Sequence, residues 1–373
     1  MTYKKILVIN LMHLGDLMLV TPILRTLRTN FPESHIALVA DLKLADTVRL
    51  NPNLDECIFL DKKGSDDSLL GILKFAWKLR QKNFDLVINL HRNERASAIA
   101  ALSGGKKIVG YSKPGFSLAF EKILPNRNPI KHQIHSHFDV LRDCVGIENF
   151  DDNGLEMVID SSVEEKIENL WREEFPPESK VIALNIGASW MTKRWLDDYF
   201  AKVADHFVAN GFHIIFLGGT MDLGIVEACR AKMQNRDSNL VKIFTGKMSL
   251  AELGAVLSRC VLFISTDSGP MHVGVAMNVP IVTMFGASPV LGFYPYDEKD
   301  LSIKSPEYCH PCNLHECPRQ GEYKLACMKK ITPEIVIRCA NQLLDEFGMP
   351  AREIPRRKWH YTSRVIYIPP NGE

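Results

Sequence analysis

The feature that most constrains this fold is a repeated alternation. Short apolar runs of strand length, each ending in a small or polar loop, are followed by amphipathic segments of helical length. A near-continuous apolar run is a strand buried on both faces, so the pattern predicts an α/β protein with parallel sheets covered by helices on either side. Strands are expected near 4–10, 35–40, 55–60, 84–90 and 107–110, and again near 180–186, 212–217, 240–244, 260–265 and 280–285. Two such sets, in a chain of 373 residues that is too long for one ordinary core, predict two Rossmann-like units. Breaker residues at Asp151-Asp152-Asn153-Gly154 and Phe175-Pro176-Pro177-Glu178-Ser179 mark the seam, giving domains over 1–160 and 161–348 and a distinct tail over 349–373. Open α/β sheets bind ligands beyond the carboxyl ends of their strands, so a site is expected between the two.

Three strand-to-loop junctions carry the chemistry. The first runs from Ile6-Leu7-Val8-Ile9-Asn10 through Leu11-Met12-His13-Leu14-Gly15-Asp16 into a helical pattern from Leu17 to Leu24. Gly15 removes a side chain that would block a substrate, and Asp16 suits either a general base or the N-cap of the following helix. The second junction leads from the run ending at Ile186 into Gly187-Ala188-Ser189-Trp190-Met191-Thr192-Lys193-Arg194-Trp195. Lys193 there is either a ligand for a diphosphate, with the Ser189 hydroxyl as a second donor, or part of an exposed basic pair.

In the third junction, Val261-Leu262-Phe263-Ile264 leads through Asp267-Ser268-Gly269 onto a helix, whose first N–H groups make a place for phosphate. Asp267 is itself anionic, so a sugar hydroxyl is its expected partner. His272, on the first turn of that helix, is either a donor to phosphate or a core histidine. Asp222 lies beyond the strand Ile214-Ile215-Phe216-Leu217 and the turn Gly218-Gly219-Thr220, where an acid accepts from ribose hydroxyls. No Gly-x-Gly-x-x-Gly follows the first strand, which argues against a nicotinamide or flavin cofactor.

Taken in order, Gly15-Asp16, Lys193-Arg194-Trp195 and Asp267-Ser268-Gly269-x-x-His272 resemble the ADP-heptose:lipopolysaccharide heptosyltransferases of glycosyltransferase family 9, over about residues 4–345. The resemblance implies a GT-B architecture, two Rossmann-like domains with parallel sheets facing a central cleft. It also implies inverting transfer of heptose from ADP-L-glycero-D-manno-heptose to the inner core of lipopolysaccharide, at the cytoplasmic face of the inner membrane. On that reading Asp16 is the catalytic base and Lys193 binds the donor phosphates, with Ser189, Asp222, Asp267, Ser268, Gly269 and His272 completing the donor site. No metal and no cofactor are required. The family usually carries Glu near Asp222, so this chain reaches the ribose with a shorter arm. Its Lys-Arg-Trp form and its cysteine cluster are more similar to the enzymes adding the second or third heptose than to the one adding the first. Two rival readings are a sugar-nucleotide epimerase of the same architecture, which needs no acceptor site, and a non-catalytic carbohydrate-binding or assembly protein. The intact Asp16 and Lys193 speak against the latter.

The acceptor, Kdo-lipid A bearing heptose, is expected on the first domain, at His13, Arg92 and Arg95. The two guanidiniums match phosphate or carboxylate groups, unless they belong to a solvated face. The run Lys131-His132-Gln133-Ile134-His135-Ser136-His137 offers more basic groups of the same ambiguous kind. A net charge of +1 gives no reason to expect nucleic acid. No apolar stretch approaches the ~18 residues that cross a bilayer, no signal peptide opens the chain, and nine scattered cysteines fit reduced thiols. A cytoplasmic protein in peripheral contact with the inner membrane is therefore expected. The tail, with Arg352, Arg356, Arg357, Lys358 and Arg364 among Trp359, Tyr361 and Tyr367, is either a strap on the body or a basic edge for anionic headgroups. Cys309-x-x-Cys312-x4-Cys317, with Cys327 beyond it, reads as a structural zinc site, free thiols or a loop disulfide.

Overall fold

A computed structural model describes residues 2–125, 130–356 and 364–368. The chain divides into two compact units, Met1–Val158 and Ile159–Glu373. In the first, strands β1 (Lys5–Ile9), β2 (His35–Asp41), β3 (Glu56–Leu60), β4 (Leu86–Asn89), β5 (Lys107–Gly110) and β6 (Lys122–Ile123) form one sheet in the order β3-β2-β1-β4-β5-β6. Every pairing is parallel. The chain leaves β1 toward one edge and returns at β4 to build the other, so the crevice at this reversal opens beyond the carboxyl ends of β1 and β4.

The second unit repeats the plan. Its strands are β7 (Val181–Asn185), β8 (His213–Leu217), β9 (Val241–Ile243), β10 (Leu262–Thr266), β11 (Ile281–Phe285), β12 (Leu301–Lys304) and β13 (Arg364–Tyr367), in the parallel order β13-β12-β11-β10-β7-β8-β9. Here the reversal falls between β7 and β10. The ten anticipated strands are all present within two residues of their expected limits. The three that were not anticipated are an edge pair of residues (β6), a strand directly after the polar Asp297-Glu298-Lys299-Asp300 (β12), and one in the tail (β13).

Local chemistry sets the helix starts. The Asn93 side chain accepts from the Ala96 N–H at 2.7 Å and so begins helix Glu94–Leu102, while Ser249 and Glu252 form a capping box on Leu250–Leu257. Gly110 ends β5 at φ +113°, where a Cβ would lie 2.2 Å from the Asn89 carbonyl oxygen, so no other residue fits. Leu7, Val39, Phe75, Leu79, Phe84, Val87 and Ile99 belong to one core, and Ile182, Phe200, Phe216, Ile264, Met284 and Leu343 to the other.

The seam has an electrostatic account. Arg25 in helix Thr21–Asn30 holds Asp151 and Glu156, each at 3.1 Å, which ties the segment before residue 158 to the first unit. Arg259, almost fully buried, holds Glu164 at 2.9 Å and Glu168 at 3.3 Å, which ties helix Ser161–Glu174 to the second.

The described part of the tail is a strap. The Ala351 and Arg352 amides donate to the carbonyls of Cys260 and Ser258, and β13 extends the sheet beyond β12. Of the cations considered for headgroups, Arg352 meets Glu168, Arg356 donates to the Ala276 carbonyl, and Arg364 chelates Glu346 through two 2.8 Å bonds. Arg357, Lys358, Trp359 and Tyr361 lie outside the described residues. Among the described residues no helix is long and apolar enough to cross a membrane.

Candidate functional site

In the first unit the chain leaves β1 through Asn10, whose side-chain oxygen accepts from the Met12 amide at 3.0 Å. It then enters a short helix, Leu14–Met18, with His13 as the N-cap residue. Asp16 therefore lies inside the first turn rather than at the cap, and the capping role weighed for it is not the one it plays. Its carboxylate stands at the positive end of the helix. The helical pattern expected to run on from Leu17 is interrupted at Leu19, and Thr21–Asn30 starts afresh with Pro22 in its first turn.

The basic groups gather around this loop. Lys62, two residues beyond β3, donates to the Leu11 carbonyl at 2.8 Å and pairs with Asp41 at 2.8 Å. His91 follows β4, and burial, helped by the nearby charges of Lys62 and His13, pushes its pKa down to about 4. Arg95 donates to the Lys62 carbonyl and pairs with Asp67, while Arg92 donates to the Ser112 carbonyl. Thus His13 and Arg95 are joined by two groups that sequence reasoning had not assigned, Lys62 and His91, while Arg92 turns to Ser112. The available signal for the first was Lys62-Lys63 directly after an apolar run. The second basic run is instead structural: Lys131 pairs with Asp139 at 2.7 Å, His132 caps helix Gln133–Val140, and His137 is buried against Gln133.

In the second unit the loops after β7 and β10 are stitched together by Asn185, whose amide donates to Ser268 Oγ at 2.9 Å, Ser265 Oγ at 3.3 Å and the Gly187 carbonyl at 3.2 Å. Lys193 closes a one-turn helix, Met191–Lys193, and its ammonium lies 2.8 Å from Asp267 Oδ2. That carboxylate oxygen also accepts from Ser288. The ammonium stands 4.6 Å from the Trp190 ring centre and 5.9 Å from that of Phe293. Asp267 is thus neutralised by the side chain assigned to the diphosphate, a pairing with no signal in the sequence.

Of the other expected donor-site residues, Ser268 and Gly269 directly follow Asp267 and His272 lies close to the pair. Gly269 opens helix Gly269–Ala276 with Ser268 as the N-cap residue, and Pro270 removes one N–H from the first turn. Ser189 is exposed at the loop tip. Asp222 accepts from the Gly219 amide at 2.9 Å and lies so close to Gly187 that a Cβ there would meet its Oδ1 at 2.2 Å. His272 is buried, Nδ1 has no hydrogen-bond partner among the described residues, and burial drives the pKa down to about 4. Near pH 7 it is a neutral ring close to the Lys193–Asp267 pair.

The cysteine-bearing segment braces the Lys193 loop. Thr192 Oγ1 donates to the Leu314 carbonyl, His315 stacks on Trp190 with ring centres 4.1 Å apart, and the Asn313 amide donates to the Ala287 carbonyl at 2.8 Å. All nine cysteines are free thiols. Burial and the neighbouring thiols of Cys309, Cys312 and Cys317 push Cys327 up to about 11. Among the described residues no three His, Cys, Asp or Glu side chains are arranged to hold a metal ion.

Two doubly wound units, one carrying Asp16 and the other the Lys193–Asp267 pair at their switch points, have the architecture of a glycosyltransferase of the GT-B type. The family model for glycosyltransferase family 9 (heptosyltransferase) matches residues 72–322, and the chain belongs to that family. It is 26% identical to lipopolysaccharide heptosyltransferase 3 of Escherichia coli K12, over 89% of this chain and 96% of that protein. A solved family 9 glycosyltransferase from Veillonella parvula is 35% identical, with a TM-score of 0.83 over 93% of this chain and 98% of that one. The fold is shared as well by the Escherichia coli ADP-heptose lipopolysaccharide heptosyltransferase II, at 18% identity, a TM-score of 0.73 and coverage of 92% and 99%.

Proposed function

We propose that this glycosyltransferase moves heptose from ADP-L-glycero-D-manno-heptose to the inner core of lipopolysaccharide, as an enzyme of the second- or third-heptose type. The observation that carries the reading is the Lys193–Asp267–Ser288 cluster at the switch point of the second unit, in a chain whose relatives are named for this transfer. Lys193 binds the diphosphate, exchanging or sharing Asp267 as the donor arrives, and the Ser268 and Gly269 amides and the Ser189 hydroxyl add donors. Asp267, released from its ion pair, accepts from a heptose hydroxyl, and Asp222 accepts from the ribose. The Asp16 carboxylate takes the proton of the acceptor hydroxyl as that oxygen attacks the anomeric carbon. The bond to the β-phosphate oxygen breaks, ADP departs, and a single displacement inverts the anomeric configuration. His13, Lys62, His91, Arg92 and Arg95 provide the cationic surroundings for an acceptor bearing phosphate and carboxylate groups. The protein works at the cytoplasmic face of the inner membrane.

The test is incubation of the purified protein with ADP-heptose and a panel of truncated lipopolysaccharides, followed by mass spectrometry of the product. One heptosyl unit added to a single truncation, with ADP released in step, is the expected result. Conversion of the nucleotide sugar without an acceptor would establish the epimerase reading instead.

A further inference from the structure

Helix Leu69–Arg80 of the first unit is apolar on two opposite faces. Phe75 and Leu79, with Ile72 beside them, point into the core. At ~100° per residue the opposite arc carries Leu69, Leu70, Leu73 and Trp77, which remain 73, 69, 43 and 63% exposed. Lys74 and Lys78 border this stripe along one side and Arg80 closes its end. None of the three makes an ion pair among the described residues, and the helix contains no acid. A surface helix needs one apolar stripe to fold; the second contributes nothing to the core and leaves a tryptophan and three leucines in water.

We infer that this face is a membrane-docking surface, with Trp77 and the leucines entering the boundary between headgroups and acyl chains and Lys74 and Lys78 meeting anionic headgroups. Charge complementarity selects a lipid surface over a protein groove: the charged side chains of the helix are all cationic, the exposed acid just before it, Asp67, is paired with Arg95, and lysine stems extend an apolar face while their ammoniums reach phosphate. The inference rests on the proposed function in one respect, that a lipid-anchored acceptor gives the enzyme reason to reside there. It places the contact on the first unit, whereas the described cations of the tail are engaged by the protein itself.

The full-length protein would be sedimented with vesicles of phosphatidylcholine, with and without phosphatidylglycerol, over a range of salt. The apolar variant Leu70→Ser/Leu73→Ser/Trp77→Ser and the charge variant Lys74→Gln/Lys78→Gln would be run in parallel, with circular-dichroism melting to establish folding. Wild type should bind the anionic vesicles, more weakly as salt rises. The apolar variant should bind at least tenfold less and the charge variant should lose its preference for phosphatidylglycerol, both with unchanged melting and transfer to a delipidated acceptor within twofold of wild type. Equal vesicle binding by wild type and variants, or none by wild type, overturns the inference. So does a lipid-free dimer that the apolar variant dissolves, which would make the face a self-association surface. Failure of wild type to glycosylate the delipidated acceptor counts against the proposed function and leaves the vesicle result standing.

Discussion

The Lys193–Asp267 pair separates catalytic from structural roles in one experiment. Its two side chains are 16 and 5% exposed and meet at 2.8 Å. At that distance, with an effective dielectric constant of ~20, the gross attraction is about 6 kcal/mol. Desolvation offsets much of it, and breaking a buried pair by removing one partner typically costs ~3–5 kcal/mol, because the survivor is left buried and uncompensated. Ser288 still donates to Asp267 when the lysine is lost, which favours the lower figure of about 3 kcal/mol. Lys193→Met and Asp267→Asn should each lower stability by about that much, or ~6–12 °C in melting temperature for a unit of ~200 residues. The double variant should cost less than the sum by about 2 kcal/mol or more. Binding of ADP distinguishes the partners. Lys193→Met should weaken ADP at least tenfold, about 1.4 kcal/mol, whereas Asp267→Asn releases the ammonium and should leave ADP affinity unchanged or raised. Urea unfolding gives the stabilities and titration calorimetry the affinities. Unchanged ADP affinity in Lys193→Met, or equal losses in both variants, would refute the assignment of Lys193 to the diphosphate.

Asp16→Ala should reduce turnover by about a hundredfold or more with ADP-heptose affinity held within a few-fold, since a general base acts in the transition state. Because Asp16 is not the N-cap, its loss should cost only ~0.3–1 kcal/mol of stability, a difference that thermal melting resolves. His272 has a folded pKa pushed down to about 4 from 6.5, so the unfolded chain binds the extra proton between those values. Its contribution is present above pH ~6.5 and falls away by up to ~3 kcal/mol as pH drops toward 4. His272→Gln should flatten that acid limb in urea titrations; a limb of the same slope would mean that other groups set it. On the proposed mechanism fixed cations and backbone donors stabilise the leaving diphosphate, so initial rates should survive EDTA. Loss of activity that magnesium or manganese restores would sink the metal-free mechanism.

The sequence by itself determined the strands and the junctions that follow them. An apolar run such as Val181-Ile182-Ala183-Leu184 has only one way to bury both faces, and parallel pairing beneath helices is a consequence of local composition. For the same reason Asp16, Lys193 and Asp267 were legible as residues that follow the carboxyl ends of strands, and the family resemblance implied their roles. Tertiary structure alone decided what each of them touches. Asp16 was readable as a cap until the backbone placed it within the first turn of a helix that starts at Leu14 and stops at Met18. Lys193 and Asp267 meet only because β7 and β10 are neighbours in the sheet, and Lys62, His91 and His13 converge only because the first sheet reverses its order at β1. Arg92 and Arg95 looked free in the sequence but spend bonds on the carbonyls of Ser112 and Lys62. The helix Leu69–Arg80 shows the division most sharply. Its apolar residues lie on opposite arcs, and which arc meets the sheet and which meets solvent follows from the docking of Phe75 and Leu79, a long-range packing choice that the residues of the helix do not encode alone.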